Sequence, residues 1–298
     1  MSKSVIAIVG SATMDLTAYT DTVPEAGQTL LGRDFTTGFG GKGANQAVIA
    51  AHCGADVYFI GTLGRDSFGD AISVNFSAVG INTDYLERSD SPSGVAHIWV
   101  DGNGENRIII VPGANHDIEI AKVVSAISDI PELAIVIAQC EIKQEVTIAA
   151  FVAAKARGCI TILNPAPFEE LSPQLLDVTD WLIPNETEFQ SITHTNADDD
   201  SNLANFRPGK NSIVTLGSQG AVLIGSDRTL TRSSAPSVHV EDTTGAGDAF
   251  VGTFAYCLAS GMPSIDALKF GIKVASLSVT RKGAQSSYPS QAEIKTLS

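Results

Sequence analysis

The sequence predicts an α/β fold, a mostly parallel central sheet flanked by helices on both faces, and three observations carry that expectation. Short, compact apolar runs recur along the chain. They are apolar at successive positions, as strands covered on both faces are. Segments with helical spacing lie between many of them, an order that favours parallel neighbours joined by helical crossovers.

Taken in order, the first run is Val5 to Val9. Residues 12–37 follow, with scattered β-formers and turn residues around Val23-Pro24-Glu25-Ala26-Gly27 and no helical period. A helix is expected over about 42–53, a strand at Val57 to Ile60 and a helix over 67–79. Residues 94–111 hold two strand-like runs around a turn-rich Asp101-Gly102-Asn103-Gly104-Glu105-Asn106. Helices are then expected over 118–129 and 144–157, and strands at Ala134 to Ala138, Ile160 to Leu163, Trp181 to Ile183, Ile213 to Leu216 and Ala221 to Ile224. Asn196 to Asn202 reads as a solvated acidic loop, and Ser237 to Glu241 as a β-like run before helices over 246–260 and 264–281. The whole chain, 1–298, thus reads as one α/β domain. The segments 12–37 and 94–111 form a small sheet beside it, with an apolar face that needs a ligand or a partner to cover it. In such a fold the ligand crevice lies beyond the carboxyl ends of the strands.

Composition narrows the function. The chain has 298 residues, 44% of them hydrophobic, enough for a sizeable core. Lys plus Arg is 19 and Asp plus Glu is 33, so the formal charge is 19 − 33 = −14. So acidic a chain is a poor partner for nucleic acid or an anionic membrane, and it binds phosphate only through local donors or a metal ion. Cys53, Cys140, Cys159 and Cys257 form no Cys-x-x-Cys pair and match no zinc spacing. Buried reduced thiols in a cytoplasmic protein are expected. The first apolar run is too short for a signal peptide, and no apolar stretch approaches the roughly 20 residues of a membrane span.

Two glycine-rich segments stand out. Gly38-Phe39-Gly40-Gly41-Lys42-Gly43-Ala44-Asn45-Gln46-Ala47 follows an extended region and opens a helix. Glycines let the backbone approach a polar ligand, and a helix start offers unpaired N–H groups. It is not a Walker A loop, because glycine rather than Ser or Thr follows the lysine. The alternative is a plain turn with a solvent-facing lysine. The second segment, Asp242-Thr243-Thr244-Gly245-Ala246-Gly247-Asp248, leads into an apolar helix. Its glycines would aim several N–H groups at one point with the helix dipole behind them, which makes an anion site. Asp248 in the first turn is then placed as general base for a hydroxyl attacking a phosphoryl group. The alternative is an acid that merely favours the positive helix end.

These two segments resemble the signatures of the ribokinase family of carbohydrate kinases, the PfkB group. Further matches run in family order: Gly10-Ser11 with Asp15, Asn164-Pro165-Ala166-Pro167, Pro184-Asn185-Glu186-Thr187-Glu188, Thr215 to Gly220, and Thr280-Arg281-Lys282-Gly283-Ala284-Gln285. The resemblance implies a ribokinase-like fold with a small β lid. It also implies ATP-dependent phosphorylation of D-ribose at its primary 5-hydroxyl, giving ribose 5-phosphate and ADP. Asp248 is then the base, and the N–H groups of Gly245, Ala246 and Gly247 stabilise charge on the transferred phosphate. Phosphoryl transfer of this kind needs positioning and electrostatic support rather than a protein nucleophile.

Carried over residue by residue, Thr13, Met14, Asp15, Gly41, Lys42, Gly43, Asn45 and Glu141 match the sugar contacts, together with Asp248. Asn185 and Glu188 match the residues that organise Mg2+ and the phosphates, partly through water. As residues alone they read as a helix cap with its capping box. Thr215, Leu216, Gly217, Ser218, Gln219 and Gly220, with Gly247 and Asp248, match the nucleotide site. Asp242, Thr244, Ser278, Arg281, Gly283 and Ser287 match the site of an activating monovalent cation, K+. The lid in this family often pairs two subunits, so a homodimer through the lid sheet is implied.

Two departures stand out. Thr13 replaces the family's usual Asn two residues before the sugar aspartate, and a hydroxyl cannot present an amide's two donors. Gly271-Ile272-Lys273-Val274 replaces the usual Asn or His near the adenine, so an apolar or backbone contact is expected there. The rival readings are another PfkB-family sugar or nucleoside kinase (fructokinase-like) and a sugar or nucleotide sensor without catalysis. A nicotinamide enzyme is disfavoured, because Gly10-Ser11-Ala12-Thr13-Met14-Asp15 follows the first strand where Gly-x-Gly-x-x-Gly would be needed.

Overall fold

The computed structural model describes residues 4–206 and 210–297. The N-terminal part runs β1 (Val5–Val9), β2 (Thr13–Tyr19), β3 (Asp34–Gly40), α1 (Lys42–Cys53), β4 (Asp56–Gly64), α2 (Ser67–Val79) and β5 (Leu86–Ser89). Then come β6 (Gly94–Val100), β7 (Asn106–Val111), α3 (Ile120–Asp129), β8 (Leu133–Gln139), α4 (Gln144–Ala156) and β9 (Ile160–Asn164). The C-terminal part holds α5 (Pro173–Asp177), β10 (Trp181–Leu182), α6 (Glu186–Thr193), α7 (Asp200–Asn205), β11 (Asn211–Thr215), β12 (Ala221–Ile224), β13 (Leu230–Ser233), α8 (Ala246–Ala259), α9 (Ser264–Ser278) and α10 (Gln291–Thr296).

Nine strands form the main sheet in the order β13-β12-β11-β10-β9-β8-β1-β4-β5. Pairings from β5 to β11 are parallel, and β12 and β13 add an antiparallel edge. Strand pleat sends alternate side chains to two cores. Ile6 and Ile8 of β1 and Ile135 and Ile137 of β8 face the cluster that also holds apolar residues of α1, α8 and α9. Val5, Ala7 and Val9, with Val136 and Ala138, face the one that holds residues of α3 and α4. Burial on both faces explains why these strands read as continuous apolar runs.

The small sheet has the order β3-β2-β6-β7, built from the two segments that broke the α/β pattern. Its edge strand β7 is exposed throughout; Ile108, Ile109 and Ile110 lie open to solvent. Four cysteines are buried and unpaired, as expected. Among the described residues, no helix is long and apolar enough to cross a membrane.

Several expectations need correction. Ser237 to Glu241 forms no strand; the chain from 234 to 240 is extended without a ladder partner. A 3-10 turn at Gly113–Asp117 delays the third helix to Ile120. The acidic stretch 196–202 contains the start of α7, capped by Asp199 through Ser201 N–H at 2.8 Å. Strands β5 and β13 and helices α5, α6, α7 and α10 are too short to give a period in the sequence.

One contact positions the site. A Cβ on Gly252 would lie 2.4 Å from Ile49 Cγ2 and 2.5 Å from the Gln46 carbonyl oxygen. Only glycine lets α8 approach α1 this closely. The first turn of α8, with Asp248, is thereby brought against Asn45 and Gln46.

Candidate active site

The residues singled out in the sequence gather beyond the carboxyl ends of β1, β8, β9 and β11. The first glycine loop is shaped by backbone packing. Gly41 adopts φ 86°, and a Cβ there would lie 2.7 Å from Ala12 Cα. A Cβ on Gly43 would lie 2.7 Å from Ser11 N. Both glycines therefore let the start of α1 rest on residues 10–13. Asn115 clamps the same stretch, accepting from Ala12 N–H at 2.9 Å and donating to its carbonyl at 3.0 Å.

Glu141 caps this helix start. Its Oε2 accepts the Lys42 N–H at 2.9 Å and also the Ser11 hydroxyl. A carboxylate there complements the helix dipole. The Lys42 side chain has no hydrogen-bond partner among the described residues. Although burial lowers its pKa, the charges of Asp248, Glu141 and Glu188 outweigh that and raise it. It is therefore cationic, and it is not a solvent-facing turn lysine.

Asp15 on β2 faces the same space. Thr13 Oγ1 donates to its Oδ1 at 3.2 Å. Burial pushes the Asp15 carboxyl up to about 6, and the charges of Glu141 and Asp248 add to the rise. Met14, by contrast, belongs to the hydrophobic core cluster.

Asp248 is 5% exposed. Asn45 Nδ2 donates to its Oδ2 at 2.9 Å and Gln46 Nε2 to its Oδ1 at 2.9 Å. Gly245, at φ 76°, begins α8. Its carbonyl accepts the Tyr288 hydroxyl at 3.0 Å, fixing the turn. The three expected amide donors are not equivalent. Ala246 N–H already bonds the Thr243 carbonyl at 3.2 Å, closing the turn, and those of Gly245 and Gly247 have no partner among the described residues. Two of the three amides are thus left open among the described residues.

On the other side of this turn lies a cavity of about 580 Å³. It is lined by Pro236, Val238, Val240, Phe250, Ile272 and Val279, together with Thr243, Ala246 and Gly247. Of the residues expected at the nucleotide site, Thr215, Gly217, Ser218 and Gly220 line this cavity; Leu216 and Gln219 do not. Leu216 is instead packed in the core. The extended 234–240 segment serves as cavity wall, not as strand.

Asn185 and Glu188 form a complete capping box. Asn185 Oδ1 accepts the Glu188 N–H at 2.8 Å, and Glu188 Oε2 accepts the Asn185 N–H at 2.8 Å. Burial raises the Glu188 pKa, opposed by the Asn185 hydrogen bond and by Lys42. This carboxylate faces Lys42 and Asp248, and its oxygen chemistry fits a water-mediated divalent cation. Among the described residues no cluster of three His, Cys, Asp or Glu exists that would hold a metal directly.

Asp242 draws the other expected cation residues together. Its Oδ1 accepts from Thr244 N–H at 2.9 Å, and its Oδ2 accepts the Gly283 N–H at 2.8 Å. Burial pushes its pKa up, but these hydrogen bonds outweigh that and hold it below the usual range. Ser278 and Ser287 spend their hydroxyl protons on the carbonyls of Ala275 and Ala284, leaving oxygen lone pairs. The Arg281 guanidinium turns away to Glu293, so its side chain is no candidate ligand. One carboxylate among neutral oxygens suits a monovalent ion.

Residues that the sequence reading missed are Gln46, Gln139, Asn115, Gln285 and Tyr288. Gln46 and Gln139 each carried a signal, lying next to Asn45 and two positions before Glu141.

Open amides at a helix start attract a charged phosphoryl group, and the buried carboxylate beside them can take a proton from an alcohol. The buried Cys140 thiol is pushed up by desolvation and by Glu169, so it offers no nucleophile. Fold and site together define a phosphotransferase. The chain belongs to the pfkB family of carbohydrate kinases, whose profile matches residues 3–291. It is 40% identical over 297 residues to the ribokinase of Bacillus subtilis, covering 98% of each chain. It is 37% identical over 293 residues to the deoxyribokinase of Salmonella typhi, covering 96% of this chain and 95% of that one. A solved structure of Arabidopsis thaliana ribokinase complexed with ribose and ATP superposes with a TM-score of 0.89 at 32% identity, covering 100% of this chain and 99% of that one.

Proposed function

We propose that this protein transfers the γ-phosphoryl group of ATP to the 5-hydroxyl of D-ribose. One observation carries the reading: a single helix start faces both ways. Ala246 and Gly247 line the large cavity, while Asp248 is bonded to Asn45 beside Asp15 and Glu141. A donor on one side and a polyhydroxy acceptor on the other would meet at that turn.

Asp248 takes the proton of the attacking hydroxyl as its oxygen bonds to the γ-phosphorus and the bond to the ADP oxygen breaks. The open N–H groups of Gly245 and Gly247 stabilise charge on the transferred group. Asp15 accepts hydrogen bonds from sugar hydroxyls, Asn45 donates and accepts, and Lys42 offsets the charge that accumulates. Asn185 and Glu188 would hold Mg2+ through water, and the ion neutralises phosphate charge. Asp242, Ser287 and nearby carbonyls would hold K+, which supplies positive charge behind the anion-binding turn. The β2, β3, β6 and β7 sheet closes over the sugar to exclude water, and a second copy of the chain covers its exposed apolar edge. The setting is the cytoplasm.

The relatives include a deoxyribokinase, and Thr13 favours a second acceptor. Its hydroxyl proton is given to Asp15, so it has no donor left for a sugar hydroxyl. A coupled ADP-release assay over ribose, 2-deoxyribose, fructose and adenosine tests the reading, in potassium and in sodium. The expected result is turnover with ribose, a lesser rate with 2-deoxyribose, little with the others, and higher rates in potassium. Equal rates in both salts would count against the cation site. Binding of ATP and ribose without product would make the protein a sensor instead.

The raised Asp15 pKa gives a pH dependence. Its carboxylate is the acceptor, so the sugar KM is expected to rise as pH falls through about 6, with the ATP KM changing less. The sign for folding is opposite. The folded state holds the Asp15 proton more tightly than the unfolded chain, so this group stabilises at low pH and loses that contribution as pH rises from about 4 to about 6. Sugar KM measured from pH 5 to 8 checks the first statement; a flat profile would remove Asp15 as an ionised acceptor.

A further inference from the structure

Six amide side chains from five parts of the fold converge on the Asp248 carboxylate. In one chain Gln139 Nε2 donates to Gln46 Oε1 at 2.7 Å, and Gln46 Nε2 donates to Asp248 Oδ1 at 2.9 Å. The second hydrogen of Gln46 Nε2 goes to Asn164 Oδ1 at 3.1 Å, and Asn164 Nδ2 donates to the Ile183 carbonyl at 2.9 Å. In the other chain Asn75 Nδ2 donates to Gln285 Oε1 at 2.9 Å and Gln285 Nε2 to Asn45 Oδ1 at 3.1 Å. Asn45 Nδ2 then donates to Asp248 Oδ2 at 2.9 Å.

The direction of every amide is fixed by two groups that only accept. A carboxylate and a backbone carbonyl have no proton to give. Asp248 therefore requires the NH2 of Gln46, which turns the Gln46 oxygen toward Gln139. The Ile183 carbonyl requires the NH2 of Asn164, which turns the Asn164 oxygen toward Gln46. Gln46 is fully buried, with both hydrogens of its NH2 and its carbonyl oxygen bonded. Gln139 is 1% exposed.

We infer that Gln46 and Gln139 are positioning residues for the reaction: through Gln46 they fix the plane of the Asp248 carboxylate and stabilise its charge with amide dipoles. This rests on the reading of Asp248 as the base that deprotonates the sugar hydroxyl. A buried carboxylate needs compensation. A direct ion pair would supply it but would occupy the oxygen that must reach the hydroxyl. Among the described residues no lysine or arginine bonds Asp248; Lys42, Asp15, Glu188 and Tyr288 face it without a hydrogen bond to it. Two amides take one site on each oxygen, and the remaining lone pairs stay open toward the sugar. Each amide in a chain polarises the next, so Gln139 strengthens the bond that Gln46 makes.

The test is kinetic, on the full-length protein with ATP and ribose, in two backgrounds. Gln46→Met keeps the side-chain length and removes both polar atoms. It is expected to lower kcat about tenfold or more while the KM values for sugar and ATP change less than about threefold. In an Asp248→Asn background the same change is expected to lower kcat less than about twofold, because Gln46 acts through the carboxylate. Gln139→Met is expected to give a smaller loss, about threefold, that is likewise absent beside Asp248→Asn. Should thermal melts show that Gln46→Met does not fold, Gln139→Met decides alone. Losses equal in both backgrounds, or kcat unchanged with only the melting temperature lowered, would overturn the inference. Active wild type with unaffected variants would sink this inference only. Wild type inactive on every acceptor would sink the reading of the site and this inference with it, since there would be no hydroxyl for the held base to serve.

Discussion

Replacing Asp248 by asparagine is expected to lower kcat by about a hundredfold or more and to leave ATP affinity within about threefold. A positioned base contributes on the order of a hundredfold or more to proton transfer, and an amide cannot take the proton. The surroundings add to the loss. Both oxygens of Asp248 accept from NH2 groups, of Asn45 and Gln46. An asparagine there presents one NH2 of its own to one of these donors, which breaks that hydrogen bond and tilts the group. The cavity of about 580 Å³ is lined by Ala246 and Gly247 but not by Asp248, so the substitution leaves its lining in place. Single-turnover rates and ATP titration check both halves. Near-normal turnover would remove Asp248 from the proton transfer.

Replacing Asp15 by alanine is expected to raise the sugar KM about a hundredfold, with a smaller change in kcat. A hydrogen bond to a charged group is worth about 1.5–3 kcal/mol. Loss of two such bonds to neighbouring hydroxyls therefore costs about 3 kcal/mol or more, which is about a hundredfold in affinity. Alanine also relieves a buried carboxyl that neighbouring Glu141 and Asp248 disfavour, so the variant should fold. Steady-state kinetics with varied ribose gives the number. A KM within threefold of wild type would take Asp15 out of the sugar site.

Much of the site was legible because its chemistry is local in sequence. Glycines at 41, 43 and 245 mark places where the backbone takes positive φ or touches another segment. Asp248 sits in the first turn of a helix whose apolar spacing is plain. Other features misled. Ala246 was expected to offer its N–H, but the turn that opens α8 spends it on the Thr243 carbonyl. Gly38 to Gly43 gave no hint that Glu141, 99 residues away, caps the helix it opens. The run 237–241 has β-forming composition, yet it pairs with no strand, and Ser237, Val238 and Val240 line the cavity instead.

By itself the sequence determined the α/β class, the two cores of a sheet covered on both sides, and the glycine turns at the starts of α1 and α8. Nearest-neighbour sterics and the spacing of apolar residues set those, and both are written along the chain. Tertiary structure alone decided which amides meet Asp248. Gln46 and Asp248 are 202 residues apart and touch because Gly252 lets two helices close to backbone contact. A polar side chain's partner is chosen by whichever donor packing delivers within about 3 Å, and no local pattern encodes that distance.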